Sequence, residues 1–161
     1  MSKKILYLAR HAKSSWEDMR LSDSQRPLNK RGERDAPMMA EILKAKGVTP
    51  QLILSSPALR AKRTAEIYQD AIDAPLHLDY RIYEASPMSL LYLSREALQD
   101  HDSLMIVGHN PALTELGDLL GDTSIYNLPT AAVVGLAFDD EIAPGKGKTI
   151  LYEYPKKYKL R

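Results

Sequence analysis

Lys4-Ile5-Leu6-Tyr7-Leu8-Ala9-Arg10-His11-Ala12 is a short apolar run that stops abruptly at an arginine and a histidine. From Ile5 to Ala9 no polar residue interrupts it. A strand with one wet face alternates polar and apolar residues, whereas a strand covered on both faces does not, so this run reads as an interior strand of a parallel sheet. Residues 51–55 and 103–108 have the same character, and shorter or later runs follow at 76–78, 132–138 and 149–154. Between the runs, apolar residues recur three or four positions apart, as at Ala36, Met39 and Leu43, at Ala61, Ala65, Tyr68 and Ile72, at Leu90, Leu93 and Ala97, and at Leu113, Leu116 and Leu120. That is the spacing of helices with one buried face. Strand–helix alternation predicts an α/β three-layer sandwich, with a mostly parallel central sheet, helices on both faces and one antiparallel edge. The turn-rich segment 139–148 reads as a hairpin connection between the last two strands.

The chain has 161 residues, 44% of them hydrophobic and 27% charged. One domain over 1–161 is the simplest organisation, and its core is large enough to need no covalent staple. There are no cysteines, which excludes disulfides, thiolate metal sites and a cysteine nucleophile. A formal net charge of +1 argues against a nucleic-acid partner. The apolar run after Lys4 is too short for a signal peptide. The longest mostly apolar stretch, 128–138, is too short to cross a bilayer as a helix. The expectation is a cytoplasmic protein with no membrane partner. The basic tail, 156–161, reads as a solvated, frayed end.

In open α/β sheets, ligands bind beyond the carboxyl ends of the strands. Arg10 and His11 follow the first run, Arg60 lies one turn beyond the second, and His109 and Asn110 follow the fourth. Ser56 before Pro57, and Asn110 before Pro111, read as helix caps with proline in the first helical position. Guanidinium groups bind phosphate oxygens through a planar fork and do not lose their charge. Capped helix starts offer free N–H groups to an anion. A neutral imidazole among such cations is a nucleophile for phosphorus. Glu84, just past the third run, is the carboxylate best placed to protonate a leaving group.

These motifs resemble the histidine phosphatase superfamily. Arg10-His11-Ala12 is similar to its Arg-His-Gly signature, residues 55–65 to its second-arginine motif, and Val107-Gly108-His109-Asn110-Pro111 to its second-histidine motif. Residues 22–32, with Arg26-Pro27-Leu28, extend the likeness to the short SixA-like phosphohistidine phosphatases. The resemblance implies a phosphoglycerate-mutase-like fold in a minimal version without the helical cap of larger members. It implies His11 as the phosphorylated nucleophile, with Arg10, Arg26, Arg60 and His109 on the phosphoryl oxygens and Asn110 beside them. It implies Glu84 as proton donor, and neither metal nor cofactor. A phosphorylated protein, such as a phosphohistidine-containing signalling domain, is the implied partner. Ala12 in place of the signature glycine puts a methyl group on a backbone where an unusual conformation is expected.

Other readings stand beside these. Helical spacing alone does not choose between Arg60 and Arg63. Glu84 is also placed for a salt bridge to Arg81 or another neighbour, and Trp16 either lines the pocket mouth or is a surface aromatic. Gly145-Lys146-Gly147-Lys148-Thr149 looks superficially like a phosphate loop, but Ile142 stands where its first glycine belongs. Alternative functions are a phosphomonoesterase for a small metabolite or nucleotide, and a non-catalytic module that binds phosphoproteins.

Overall fold

The structure, a computed structural model, describes residues 3–159. The described residues form six strands and four α-helices: β1 (Lys4–Arg10), α1 (Lys30–Ala45), β2 (Leu52–Ser55), α2 (Leu59–Ile72), β3 (Leu76–Leu78), α3 (Pro87–Asp100), β4 (Ser103–Gly108), α4 (Ala112–Leu120), β5 (Val133–Phe138) and β6 (Lys148–Glu153). The sheet order is β3-β2-β4-β1-β5-β6. The first four of these strands are mutually parallel, β5 pairs antiparallel with β1, and β6 pairs antiparallel with β5. Among the described residues the only reversed strand is therefore β5, one place in from the edge, and the edge strand β6 runs with the majority.

Both faces of the sheet are covered, which is why the central strands show no polar alternation. Leu6 and Leu8 of β1, with Leu104 and Ile106 of β4, pack into a core with Leu90, Leu93, Leu113 and Leu116 of α3 and α4. Their neighbours Tyr7, Ala9, Met105 and Val107 point the other way, against Ala36, Met39, Leu43, Ala65 and Tyr68 of α1 and α2. Each fully buried leucine contributes on the order of 2 kcal/mol by leaving water. The helix that follows β1 thus covers one face and the helix that follows β4 covers the other. The chain diverges between these adjacent strands, and the crevice that results lies at their carboxyl ends.

Two predicted helix starts are later than the sequence implies. Ser56 does not cap α2. Its hydroxyl accepts from the Ala58 N–H at 3.2 Å and also meets His109, so the chain makes a separate turn before Leu59. Asn110 Oδ1 accepts from the Thr114 N–H and hydroxyl, and α4 begins at Ala112, with Pro111 ahead of it. The basic tail differs too. Pro155–Lys157 forms a short 3-10 turn, and Lys159 Nζ donates to Oδ2 of the buried Asp35 at 3.0 Å, pinning this end to α1. The rest of that tail, Leu160 and Arg161, lies outside the described residues. Among the described residues no helix is long and apolar enough to cross a membrane.

Candidate active site

Sheet register brings the two histidines together. Arg10 sits opposite Gly108 in the β1–β4 ladder, so the next residues, His11 and His109, leave adjacent strands side by side. The His11 N–H extends the ladder to the Gly108 carbonyl at 3.1 Å. The two rings lie 5.2 Å apart, centre to centre. Ser55 pairs with Val107 in the neighbouring ladder, which delivers Ser56 and the start of α2 to the same rim.

His11 is 7% exposed. Its Nδ1 lies 2.7 Å from the Ala12 carbonyl oxygen. A carbonyl only accepts, so Nδ1 carries the proton and Nε2 keeps its lone pair. Burial, opposed by that hydrogen bond but reinforced by His109, Arg60 and Arg10, pulls the imidazole down to about 3. His109 is fixed in a similar way. Arg60 Nη2 is a donor 3.4 Å from Nδ1, so Nδ1 accepts and Nε2–H donates to Ser56 Oγ at 2.8 Å. Burial first, then Arg60, brings His109 down to about 4.

Three guanidinium groups surround the pair. Arg26 and Arg60 are each 7% exposed, and Arg10 is partly buried. Arg10 Nη1 donates to the Leu128 carbonyl at 3.0 Å. The face of Trp16, itself 65% exposed, lies 3.2 Å from the Arg26 guanidinium carbon. Trp16 is therefore both a surface aromatic and part of the pocket mouth. Arg60 is held by Asp23, whose backbone carbonyl accepts from Nη1 at 2.7 Å and whose carboxylate accepts from Nη2 at 3.0 Å. Arg63 faces solvent and pairs with Glu33, whereas Arg60 lines the crevice beside His109.

Among the described residues, Nε of Arg10 and both Nε and Nη1 of Arg26 are buried without a partner. A buried charged donor left unpaired costs on the order of 2 kcal/mol or more, and both arginines line one cavity, whose cationic wall suits an anion. That cavity, of about 230 Å³, is lined by Arg10, His11, Lys13, Arg26, Arg60 and His109, among others. A second cavity of about 310 Å³ adjoins it through Arg60, His109 and Asn110, and is lined further by Asp23, Tyr83, Glu84 and Ala112.

Glu84 is exposed, forms no ion pair among the described residues, and lines only the second cavity. The rival partner, Arg81, pairs with Asp79 and Glu96. Asn110 lines both cavities, but its side chain is spent on scaffolding: Nδ2 donates to the carbonyl of Leu128 and to Asn127, and Oδ1 accepts from Thr114. Ala12 is fully buried and does not take a left-handed conformation; its N–H donates to Thr64 Oγ1. The residue with positive φ beside His11 is Ala131, at 63°, whose N–H donates to the His11 carbonyl. Gly32 is required by a close approach, since a Cβ there would collide with the carbonyl oxygen of Lys13 in the loop after His11.

Sequence reasoning missed Asp23, Tyr83 and Ser56 as members of the site. Asp23 stands three residues before Arg26, inside the stretch that carried the resemblance. Its spacing gave no sign that it reaches Arg60 across the crevice.

A family model described as the histidine phosphatase superfamily, branch 1, matches residues 6–118. The chain belongs to that family. An uncharacterized chloroplastic protein of Arabidopsis thaliana is 37% identical over 131 residues, which cover 74% of this chain and 60% of that one. The chain thus spans less than two thirds of that relative. A solved structure assigned as the phosphohistidine phosphatase SixA of Agrobacterium tumefaciens superposes with a TM-score of 0.81 at 27% identity, covering 94% of this chain and 98% of that one. The protein histidine phosphatase SixA complexed with tungstate superposes with a TM-score of 0.85 at 22% identity, covering 96% and 99%. By family and by fold, the chain is SixA-like, with the phosphoglycerate-mutase-like architecture in its compact form.

The electrostatics predict an unusual titration. In an NMR titration of the unliganded protein, His11 and His109 are expected to stay neutral down to about pH 5, well below the ordinary imidazole range near 6.5. The unfolded chain takes up protons near pH 6.5 that the native state refuses until about 4 and 3, so stability falls as pH drops through that window. Either ring titrating at pH 6 or above in the folded protein would contradict this electrostatic picture.

Proposed function

We propose that this protein is a metal-independent phosphatase that works through a phosphohistidine on His11, and that its substrate is phosphohistidine on another protein. The observation that carries the chemistry is the free Nε2 of His11, held in one tautomer by the Ala12 carbonyl beside unpartnered arginine donors. Nε2 attacks phosphorus in line while the bond to the leaving nitrogen breaks; that nitrogen keeps the electron pair and takes its proton from solvent. Arg10, Arg26 and Arg60 take the charge on the equatorial oxygens, where fixed donors act without reorganising. Once its Nδ1 turns from Arg60 to a phosphoryl oxygen, His109 contributes a further contact, taking up a proton as negative charge arrives. Water then attacks phospho-His11, the electron pair returns to Nε2, and inorganic phosphate leaves.

The choice of a protein substrate rests on access. Between α2 and β4 the chain has only β3, a 3-10 turn and α3, so no inserted helical cap stands over the crevice. Exposed Trp16 borders the mouth, and exposed Met19 lines a neighbouring groove with Trp16, Asp23 and Arg26, as suits a phosphoryl group carried on a protein surface. The tungstate held by one SixA relative, an oxyanion, supports an anion site in this fold. A chain without cysteine suits a reducing compartment, and the cytoplasm is the proposed setting.

The second cavity favours one other reading, a small phosphomonoester whose leaving group occupies it. Glu84 then has a distinct part, because an alkoxide leaving oxygen needs a proton far more than an imidazole nitrogen does. The two readings separate when kcat/KM is measured on a phosphohistidine-bearing protein and on a panel of small phosphomonoesters. A preference for the phosphoprotein of at least about a hundredfold, about 2.7 kcal/mol of transition-state binding, is expected. Equal or better turnover of a small ester would overturn the protein-substrate assignment.

A further inference from the structure

The proposed phosphoryl site contains an anion of its own. Asp23 lies in a 3-10 turn, Asp23–Gln25, and its side chain is 51% exposed. Its Oδ2 accepts from Arg60 Nη2 at 3.0 Å and from the Tyr83 hydroxyl at 2.7 Å. Its Oδ1 lies 3.4 Å from Arg26 Nη2. Among the described residues, no other carboxylate forms an ion pair with Arg10, Arg26 or Arg60. One carboxylate therefore bridges two of the three guanidinium groups, and a tyrosine holds it there.

We infer that Asp23 is a built-in counter-anion that weakens the site's hold on inorganic phosphate and so promotes product release. The inference rests on reading the Arg10–Arg26–Arg60 pocket as the phosphoryl site. Inorganic phosphate presents to that pocket the same oxygens as the substrate's phosphoryl group. Donors that hold the product as tightly as the substrate slow its release, and ground-state binding of that kind does not raise kcat. Three guanidinium groups with Lys13 at the rim give a pocket of strong positive potential. A carboxylate on Arg60 and Arg26 competes for their N–H groups and repels an incoming dianion. The Tyr83 hydroxyl, followed by Arg60 and Arg26, keeps the Asp23 carboxyl below its ordinary range, so it remains ionised at neutral pH.

A merely structural ion pair makes the opposite prediction. If Asp23 only anchored Arg60, its loss would leave the arginine misplaced and phosphate binding weaker. Asp23→Asn keeps the shape and an acceptor oxygen but removes the charge. Titration calorimetry with inorganic phosphate at fixed ionic strength reads the difference. The counter-anion role predicts a Kd lower by about five- to twentyfold in the asparagine variant, the range left after solvent screens a half-exposed charge a few ångströms away. It also predicts stronger product inhibition by the same factor. Asp23→Glu, which restores the charge, should bring the Kd back toward the wild-type value, and thermal melts confirm that each variant is folded. A Kd that is unchanged or higher in Asp23→Asn, with wild type binding phosphate normally, overturns the role of Asp23 alone. Failure of wild type to bind phosphate overturns the phosphoryl-site reading and this inference with it.

Discussion

Replacing His11 by alanine is expected to abolish turnover, with kcat falling by at least about four orders of magnitude, as when the nucleophile of a covalent mechanism is removed. The pocket holds a second imidazole, His109, so the expectation is not trivial. His109 is a poor substitute because its Nδ1 faces Arg60 and its Nε2 faces Ser56, leaving neither nitrogen free to attack. Binding should survive the substitution, since the guanidinium groups that hold the oxygens come from β1, the 22–32 segment and α2 rather than from the His11 ring. The check is kcat together with phosphate affinity in the same His11→Ala preparation. Turnover above about 1% of wild type would mean that another group forms the covalent bond.

The second large effect is expected at Arg60. Arg60→Lys should lower kcat/KM by about a hundred- to a thousandfold, the scale seen when one fixed oxyanion donor is lost. Lysine keeps the charge, so the loss would come from geometry. A single ammonium does not reproduce a fork that reaches the Asp23 carbonyl, the Asp23 carboxylate and His109 at once. Arg63→Ala, three residues along the same helix, should change activity less than about twofold, because its pair with Glu33 lies on the surface and is worth roughly 0–1 kcal/mol. Steady-state kinetics on the two variants separates a role in the site from a general effect of positive charge on α2.

Much of this architecture was legible because burial leaves a direct mark on composition. Both faces of β1 and β4 are covered, so their residues lose all alternation and read as interior parallel strands. The positions just past those strands could then be taken as one rim, and His11 and His109 do meet there. What the sequence hid depends on contacts between distant segments. Asp23 and Arg60 are far apart in the chain and meet only across the crevice. Ser56 looked like a helix cap because its local pattern fits one, yet its hydroxyl is drawn to His109. Asn110 looked like a ligand for substrate, yet Thr114 and Leu128 occupy its amide. The strain expected at Ala12 lies instead at Ala131, in a segment that carried no motif.

The central claim is that phosphorus becomes bonded to Nε2 of His11 during turnover. Intact mass spectrometry after rapid mixing with a phosphoramidate, quenched in alkali where phosphohistidine survives, tests it most directly. A transient adduct of one phosphoryl group that maps to the peptide bearing His11, and that decays as phosphate is released, is the predicted result. Phosphate release with no adduct at any time, or an adduct that persists in His11→Ala, would contradict it.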